Sequence, residues 1–382
     1  MRLEESLGNE FDSSPNALNA LRLVLALEVV AWHAYALPGG HLSPHVQSFV
    51  SDIGVDAFFA ISGLLICRAW MRRPSLVRFL AARARRLLPG LWVCLALTAF
   101  VIAPVGCLLS GQSVPTVTDG IQYALSNAGI RVRSWTIGGS PSGLEHAAWN
   151  GSLWSLSWEV YCYLAVAALG VVGLLRGRCL LVIVAASWSF CVVLEAVGVA
   201  PTGPEILWMP QRAALMFGAG ALLWCYRDTI KIRGRYAWYA VGLTALSVVL
   251  FSNYRILGAA AVAYLCVFCA LRLGRVPRLR ISNDLSYGVY IYAFPLQQAM
   301  LLAGADSMGW PMFFTASVTV TLPVAYLSWR LVERPVLRGR SQRAAAATQR
   351  PSVALAAPES TASRARSTPA ARDSSTGAPG AS

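Results

Sequence analysis

The sequence predicts an all-α, polytopic membrane protein of about ten transmembrane helices with both termini in the cytoplasm. Three observations carry that prediction: an apolar composition, ten long apolar segments, and basic residues concentrated in alternate connections. Of the 382 residues, 56% are apolar types and only 13% are charged, against roughly 25% charged in ordinary soluble proteins. A soluble chain of this composition would aggregate, which excludes a water-soluble enzyme. The 32 bases against 18 acids give a net charge of +14. They recur in short clusters between apolar runs and form no continuous patch, so nucleic-acid binding is excluded as well.

The apolar segments run over 16–37, 49–67, 87–109, 152–175, 179–199, 206–226, 236–251, 256–271, 285–303 and 309–331. Each has about the length that spans a hydrocarbon core. In lipid every backbone polar group needs an internal partner, so the segments are read as helices. The seventh and eighth are short and are expected to pair as a tight hairpin through Ser252, Asn253, Tyr254 and Arg255. With the N-terminus inside, the inner connections 68–86, 176–178, 227–235 and 272–284 hold 17 Lys/Arg, whereas the outer ones hold only Arg131, Arg133 and Arg255. Positive connections stay on the cytoplasmic side, and this asymmetry fixes the predicted orientation. The first span carries Arg22, Glu28 and His33 and is too long for a cleaved signal peptide.

The chain divides into a cytoplasmic segment 1–15, a membrane domain 16–338, and a tail 339–382 rich in Ala, Ser, Thr, Pro and Arg. The tail cannot bury a core and is expected to be disordered. The first fifteen residues look similar but acidic. All nine Cys lie in or beside predicted spans, so no disulfide is expected, and Cys266 and Cys269 read as helix packing.

Ionisable groups at bilayer depth are costly and therefore candidates for function. Here they are Arg22, Glu28, His33, Asp56, Glu159, Glu195 and Arg212. A rise of about 1.5 Å per residue puts His33 about 6 Å, and Asp56 and Glu159 about 10 Å, below the outer boundary. Arg22 precedes His33 by eleven residues, three helical turns, so both share one face about 16 Å apart along the axis. Arg83 and Arg86 join Arg22 near the inner surface. The pattern predicts a basic site inside and a His–carboxylate site outside. Imidazole can take a proton from a hydroxyl attacking a thioester, a carboxylate can fix its tautomer, and Arg pairs with phosphates through its planar fork. The same spacings also suit a structural histidine and interhelical hydrogen bonds from Asp56 and Glu159. Glu28, Glu195 and Arg212 are read as structural.

The motifs resemble the acyltransferase-3 family of integral-membrane O-acyltransferases over nearly all of 16–338. The stretch Arg22-LVLALEVVAW-His33 matches the family's Arg–ten residues–His signature, and GVDAFFAISGLLI its second-span motif at Gly54, Phe58, Phe59, Ser62 and Gly63. RFLAARARRLLPGLW resembles its basic loop, with Phe79, Arg83, Arg86, Pro89 and Trp92 in register. LWSLSWEVYCYL resembles its fourth-span motif through Trp154, Ser155, Glu159 and Tyr163, and MFGAG and VERP also fit. One departure is Ala293 in SYGVYIYAFP, where the family often has a second histidine, so no catalytic role is assigned there.

The resemblance implies transfer of an acyl group, most often acetyl from acetyl-CoA, to a hydroxyl of an envelope or exported glycan or a lipid-linked intermediate. His33 would be the general base, Arg22, Arg83 and Arg86 would hold the phosphates of acyl-CoA, and Glu159 or Asp56 would orient His33 or the acceptor. It implies a multi-pass protein of the bacterial cytoplasmic membrane, among lipid, with no metal and no nucleic-acid partner. The tail is too short and polar for an appended hydrolase-like domain, so the chain would complete transfer itself or hand the acyl group to a partner. Competing expectations are an O-acyltransferase of a macrolide or other secondary metabolite, and a glycan transporter or flippase.

Overall fold

The computed structural model describes residues 6–129, 131–199 and 205–337. The tail expected to be disordered lies outside them. Among the described residues the regular elements are helices, and no strand forms. In chain order they are α1 (Leu7–Ser13), α2 (Leu18–Ala36), α3 (Pro44–Arg72), α4 (Leu76–Leu97), α5 (Ala103–Leu109), α6 (Val117–Asn127), α7 (Trp154–Val171), α8 (Gly177–Ala196), α9 (Glu205–Cys225), α10 (Gly234–Leu250), α11 (Arg255–Leu273), α12 (Ser286–Leu302) and α13 (Trp310–Ser328). Each of the ten predicted segments is covered by helix, with α4 and α5 sharing the third. Seven of them, built on α2, α3, α4–α5, α7, α8, α11 and α13, are long and apolar enough to cross a membrane. Helices α10 and α12 have 17 residues each. The expected hairpin forms between Leu250 and Arg255 and is capped by Glu195, which accepts the Ser252 and Asn253 N–H groups at 2.7 and 3.2 Å.

Close backbone approach organises the bundle. Helices α3 and α9 make its largest contact, because glycines remove side chains at the crossing. A Cβ on Gly63 would lie 1.9 Å from the Phe217 carbonyl oxygen, and one on Gly220 would lie 1.8 Å from that of Ala60. Small residues at such crossings let packing drive helix association where lipid supplies no hydrophobic force. Helix α12 is buried nearly all round, as a helix apolar on most of its faces should be. Its two buried glutamines reach backbone carbonyls, Gln297 on Val30 and Gln298 on His146 and Ala148.

Two π turns are caused by prolines. Pro104 and Pro335 have no N–H for the carbonyls of Phe100 and Leu331, and their rings crowd those carbonyls. The helix widens ahead of each, over Thr98–Ile102 between α4 and α5 and over Trp329–Glu333 after α13. There Ala103 N–H bonds Thr98 and Arg334 N–H bonds Trp329, five residues back.

Two segments differ from the sequence reading. Within the first fifteen residues, α1 packs as a helix with Leu7 and Phe11 buried. Glu10 pairs with Arg272 and Arg275, and Asp12 with Arg68 and Arg72. These contacts fasten α1 to the Arg-rich end of the bundle, an amphipathic docking too short to show as a periodic pattern. Within the connection 110–151, α6 folds back along α4: Gly120 lies against Phe100, and Trp92 Nε1 donates to the Ala128 carbonyl at 3.0 Å. Its exposed stripe Val117, Ile121 and Leu125 repeats at i, i+4 and i+8, an apolar face turned away from the protein.

Candidate active site

His33 lies in the last turn of α2, at the end of the bundle opposite the Arg-rich one. Its ring meets Phe294 of α12 edge-on at 5.0 Å and 84°. Phe294 in turn fits over Gly151, where a Cβ would come within 2.3 Å of the ring. His33 lines a cavity of about 500 Å³ together with Trp32, His41, Gln47, Trp135, Glu145, His146 and Gly151. The loop 131–150 forms one wall of this cavity and is built into the fold. Asn127 Oδ1 accepts the N–H groups of Arg133 and Ser134, Trp149 N donates to Trp135 O, and Asn150 Nδ2 donates to Tyr123 OH. Trp149 itself is fully buried.

The three arginines gather at the other end. Arg22 Nη1 and Arg86 Nη2 both donate to Asp284 Oδ2, at 2.5 and 2.6 Å. Arg86 Nη1 donates to Glu333 Oε2 at 2.6 Å, and its guanidinium lies over the Tyr287 ring. Asp284 precedes α12 and also accepts from Ser286 Oγ at 2.6 Å. Burial alone would raise its carboxyl pKa, but Arg22 and Arg86 hold it below the ordinary value of 3.8. Arg83, three residues before Arg86 and so on the same helix face, lies within electrostatic reach of Glu159, Tyr163, Arg86 and Arg22. It borders an apolar cavity of about 240 Å³ between α4 and α7. The expected basic cluster is thus assembled, with Asp284 and Glu333 already bound to it.

The two carboxylates predicted beside His33 lie elsewhere. Glu159 lines a small cavity with Arg22, Phe58, Ser155 and Tyr290. Its Oε1 accepts from Ser62 Oγ and Tyr163 OH, each at 2.5 Å. The depth reading fails because the helical segment leading into α7 starts deep: Gly151 is already beside His33, and Glu159 lies eight residues, about 12 Å, further down. For Asp56 the reading picks the wrong side of its helix. Gly54 of α3 faces Glu28 of α2, and two further residues turn Asp56 by about 200°, toward α9 and α11.

There Asp56, with no exposed surface, accepts Arg212 Nε at 2.7 Å, Arg255 Nε at 2.6 Å and Tyr254 OH at 2.6 Å. Asp52 completes the cluster with both arginines. Arg212 therefore has the structural place that the sequence suggests. Arg255, which the sequence puts in a loop, is buried and opens α11.

Sequence reasoning misses Trp135, Glu145 and His146, which lie in a connection with no periodicity to place them. It also misses Asp284, whose signal is legible: it is the one acid in a connection carrying four bases. Among the described residues no group of three His, Cys, Asp or Glu side chains is arranged to hold a metal ion.

Known proteins resemble this chain over nearly its whole length. The sequence profile described as an acyltransferase domain matches residues 16–330. An O-acetyl transferase of Shigella phage Sf6 is 30% identical over 345 residues, covering 86% of this chain and 98% of that protein. Nodulation protein 10 of Rhizobium leguminosarum bv. viciae is 28% identical, over 85% and 94% of the two chains. The exopolysaccharide production protein ExoZ of Rhizobium meliloti (strain 1021) is 26% identical, over 82% and 97%. No solved structure matches the chain.

Proposed function

This chain belongs to the acyltransferase-3 family and is an acyltransferase, and from that premise we propose that it moves an acetyl group from acetyl-CoA to a hydroxyl of an envelope or exported glycan. The protein is a multi-pass component of the bacterial cytoplasmic membrane. All ten apolar helices cross it, and the Arg-rich end and both termini face the cytoplasm. The observation that carries the reading is the His33 cavity, a pocket at the far end of the bundle with a helix-fixed imidazole in its wall. Trp32 and Trp135 line it, and such side chains offer an apolar face and a polar tip suited to sugars.

The donor binds from the cytoplasmic side. Arg22, Arg83 and Arg86 hold its phosphates, an anionic ligand competing with Asp284 for Arg22 and Arg86. Tyr163 and Ser62 fix Glu159, which positions Arg83 by charge. Asp56 supports the outer half indirectly, by anchoring α3 to α9 and α11. At the outer cavity His33 takes the proton of the acceptor hydroxyl as its oxygen attacks the thioester carbonyl carbon. The C–S bond then breaks, and the departing thiolate recovers that proton as free CoA. The sugar oxygen keeps the acetyl group as an ester.

The test is mass spectrometry of purified envelope glycans from cells lacking the gene, complemented with wild type or His33→Ala at equal membrane levels. An acetyl increment restored by wild type and absent with His33→Ala is the expected result. Equal restoration by both would remove His33 from the chemistry. Substrate export without any acetyl increment would favour a transporter.

A further inference from the structure

We propose that His146 is a second catalytic residue of the His33 cavity, its ring N–H holding the oxyanion formed when the acceptor hydroxyl attacks the thioester. The inference rests on the acetyl-transfer reading above. Attack closes a C–O bond and moves the carbonyl π electrons onto oxygen, while the hydroxyl proton goes to His33. The attacking oxygen and the developing oxyanion occupy different corners of one tetrahedron. A single imidazole engaged with the first cannot also donate to the second, so the donor must come from another part of the wall.

The cavity supplies one. His33 projects from α2, whereas His146 belongs to the loop 131–150 that forms another side of the same cavity. The Trp32 and Trp135 indoles are taken by the acceptor sugar in the reading above, and the remaining polar groups are less suited. Ionised Glu145 only accepts hydrogen bonds and would repel an oxyanion. Gln47 Oε1 accepts the Leu42 N–H at 3.2 Å, which holds this amide against the turn after α2, on the His33 side of the cavity. His41 has its carbonyl bound by Tyr35 OH at 2.8 Å, on the turn just after α2, the same side as His33.

The loop also has what an oxyanion donor needs, a fixed origin. Gln298 of α12 donates to the carbonyls of His146 and Ala148 at 2.6 and 2.9 Å. Gln298 is fully buried, and Phe294, one turn back on the same helix, is the residue packed on the His33 ring. One helix therefore packs on the His33 ring and fixes the backbone that carries His146. Because the anchor is the backbone carbonyl of residue 146, its side chain can be exchanged without disturbing the loop. Collapse of the intermediate re-forms the C=O bond, expels the thiolate and returns the His33 proton to it, and His146 ends the cycle unchanged.

The test uses full-length protein in membranes, radiolabelled acetyl-CoA as donor and extracted host envelope glycan as acceptor, with turnover and KM measured separately. His146→Ala is expected to lower kcat by about 10²–10³-fold, as loss of one oxyanion donor does, and to leave the KM for acetyl-CoA unchanged. His146→Gln, which restores an N–H donor, is expected to recover much of that loss, a rescue that a purely structural loop role would not give. Wild-type kcat in His146→Ala, or a change confined to the acceptor KM, overturns the proposal. An inactive His33→Ala beside a fully active His146→Ala defeats this inference alone. An active His33→Ala removes the base on which this inference builds, and absence of transfer by wild type defeats the acetyl-transfer reading beneath it.

Discussion

Replacing Asp56 by Ala separates a carboxylate that serves the reaction from one that holds helices together. In the folded protein its two oxygens take three donors, Arg212 Nε, Arg255 Nε and Tyr254 OH, at 2.6–2.7 Å. The side chains of Arg212 and Arg255 are only 8% and 3% exposed. Removing Asp56 leaves these two guanidiniums sharing Asp52, one uncompensated positive charge in a buried site. Stranding a buried charge in this way costs about 3–5 kcal/mol. The assay is thermal unfolding in mild detergent, with folded yield from membranes and acetyl transfer measured on the same preparations. Asp56→Ala is expected to lower the unfolding temperature and yield sharply, with activity per folded molecule largely kept. Asp56→Asn combined with Arg255→Gln should recover part of the loss, since both ends of one pair are then neutral. A variant that folds like wild type but has lost activity would refute the structural assignment and return Asp56 to the reaction.

The same geometry sets three further outcomes. Gly63→Ala or Gly220→Ala must push α3 and α9 apart by about 1.5 Å and should destabilise the protein by at least about 1–3 kcal/mol. Gly242→Ala, with nothing within 4 Å of the new Cβ, should be neutral in the same unfolding assay. Asp284 has a depressed carboxyl pKa in the folded protein, so its stabilisation is complete above about pH 4 and is lost as pH falls through the lowered value. Acid unfolding of Asp284→Asn should therefore lack the part of the wild-type transition that lies below that point. Trp135→Ala should raise the acceptor KM several-fold with little change in kcat, because the ring contributes binding surface and no proton chemistry. A fall in kcat alone would argue against that role.

The long helices and the charge asymmetry of their connections are legible in the sequence. Arg22 and His33 share a rigid helix, so their separation survives any packing, and Arg22 and Arg86 do meet, though around Asp284, which the sequence reading does not include. Glu159 and Asp56 do not join His33, because a carboxylate's neighbours depend on where its helix starts and which way it is turned. Gly151 begins the approach to α7 well inside the bundle, a consequence of the long connection before it. The face of Asp56 depends on Gly54 meeting α2, a fact of packing. The short α6 is apolar along only one stripe of eleven residues, so it carries no spanning signal, and the cavity wall after it stays hidden with it. Glu195 and Arg212 read as structural in the sequence and are found as a hairpin cap and a cluster member.

The π turn at Trp329–Glu333 gives Pro335 a reach its side chain does not have. A helix advances about 100° per residue, and an inserted residue changes the heading of every residue beyond it. The Glu333 carboxylate points at Arg86 only because the helix has slipped its phase there, and the slip exists because the proline two positions on cannot donate. A residue with no polar side-chain group thus acts as a compass for the charge balance of the donor end. Shortening or restoring the turn would rotate that carboxylate off its bearing while leaving every side chain of the cluster in the sequence.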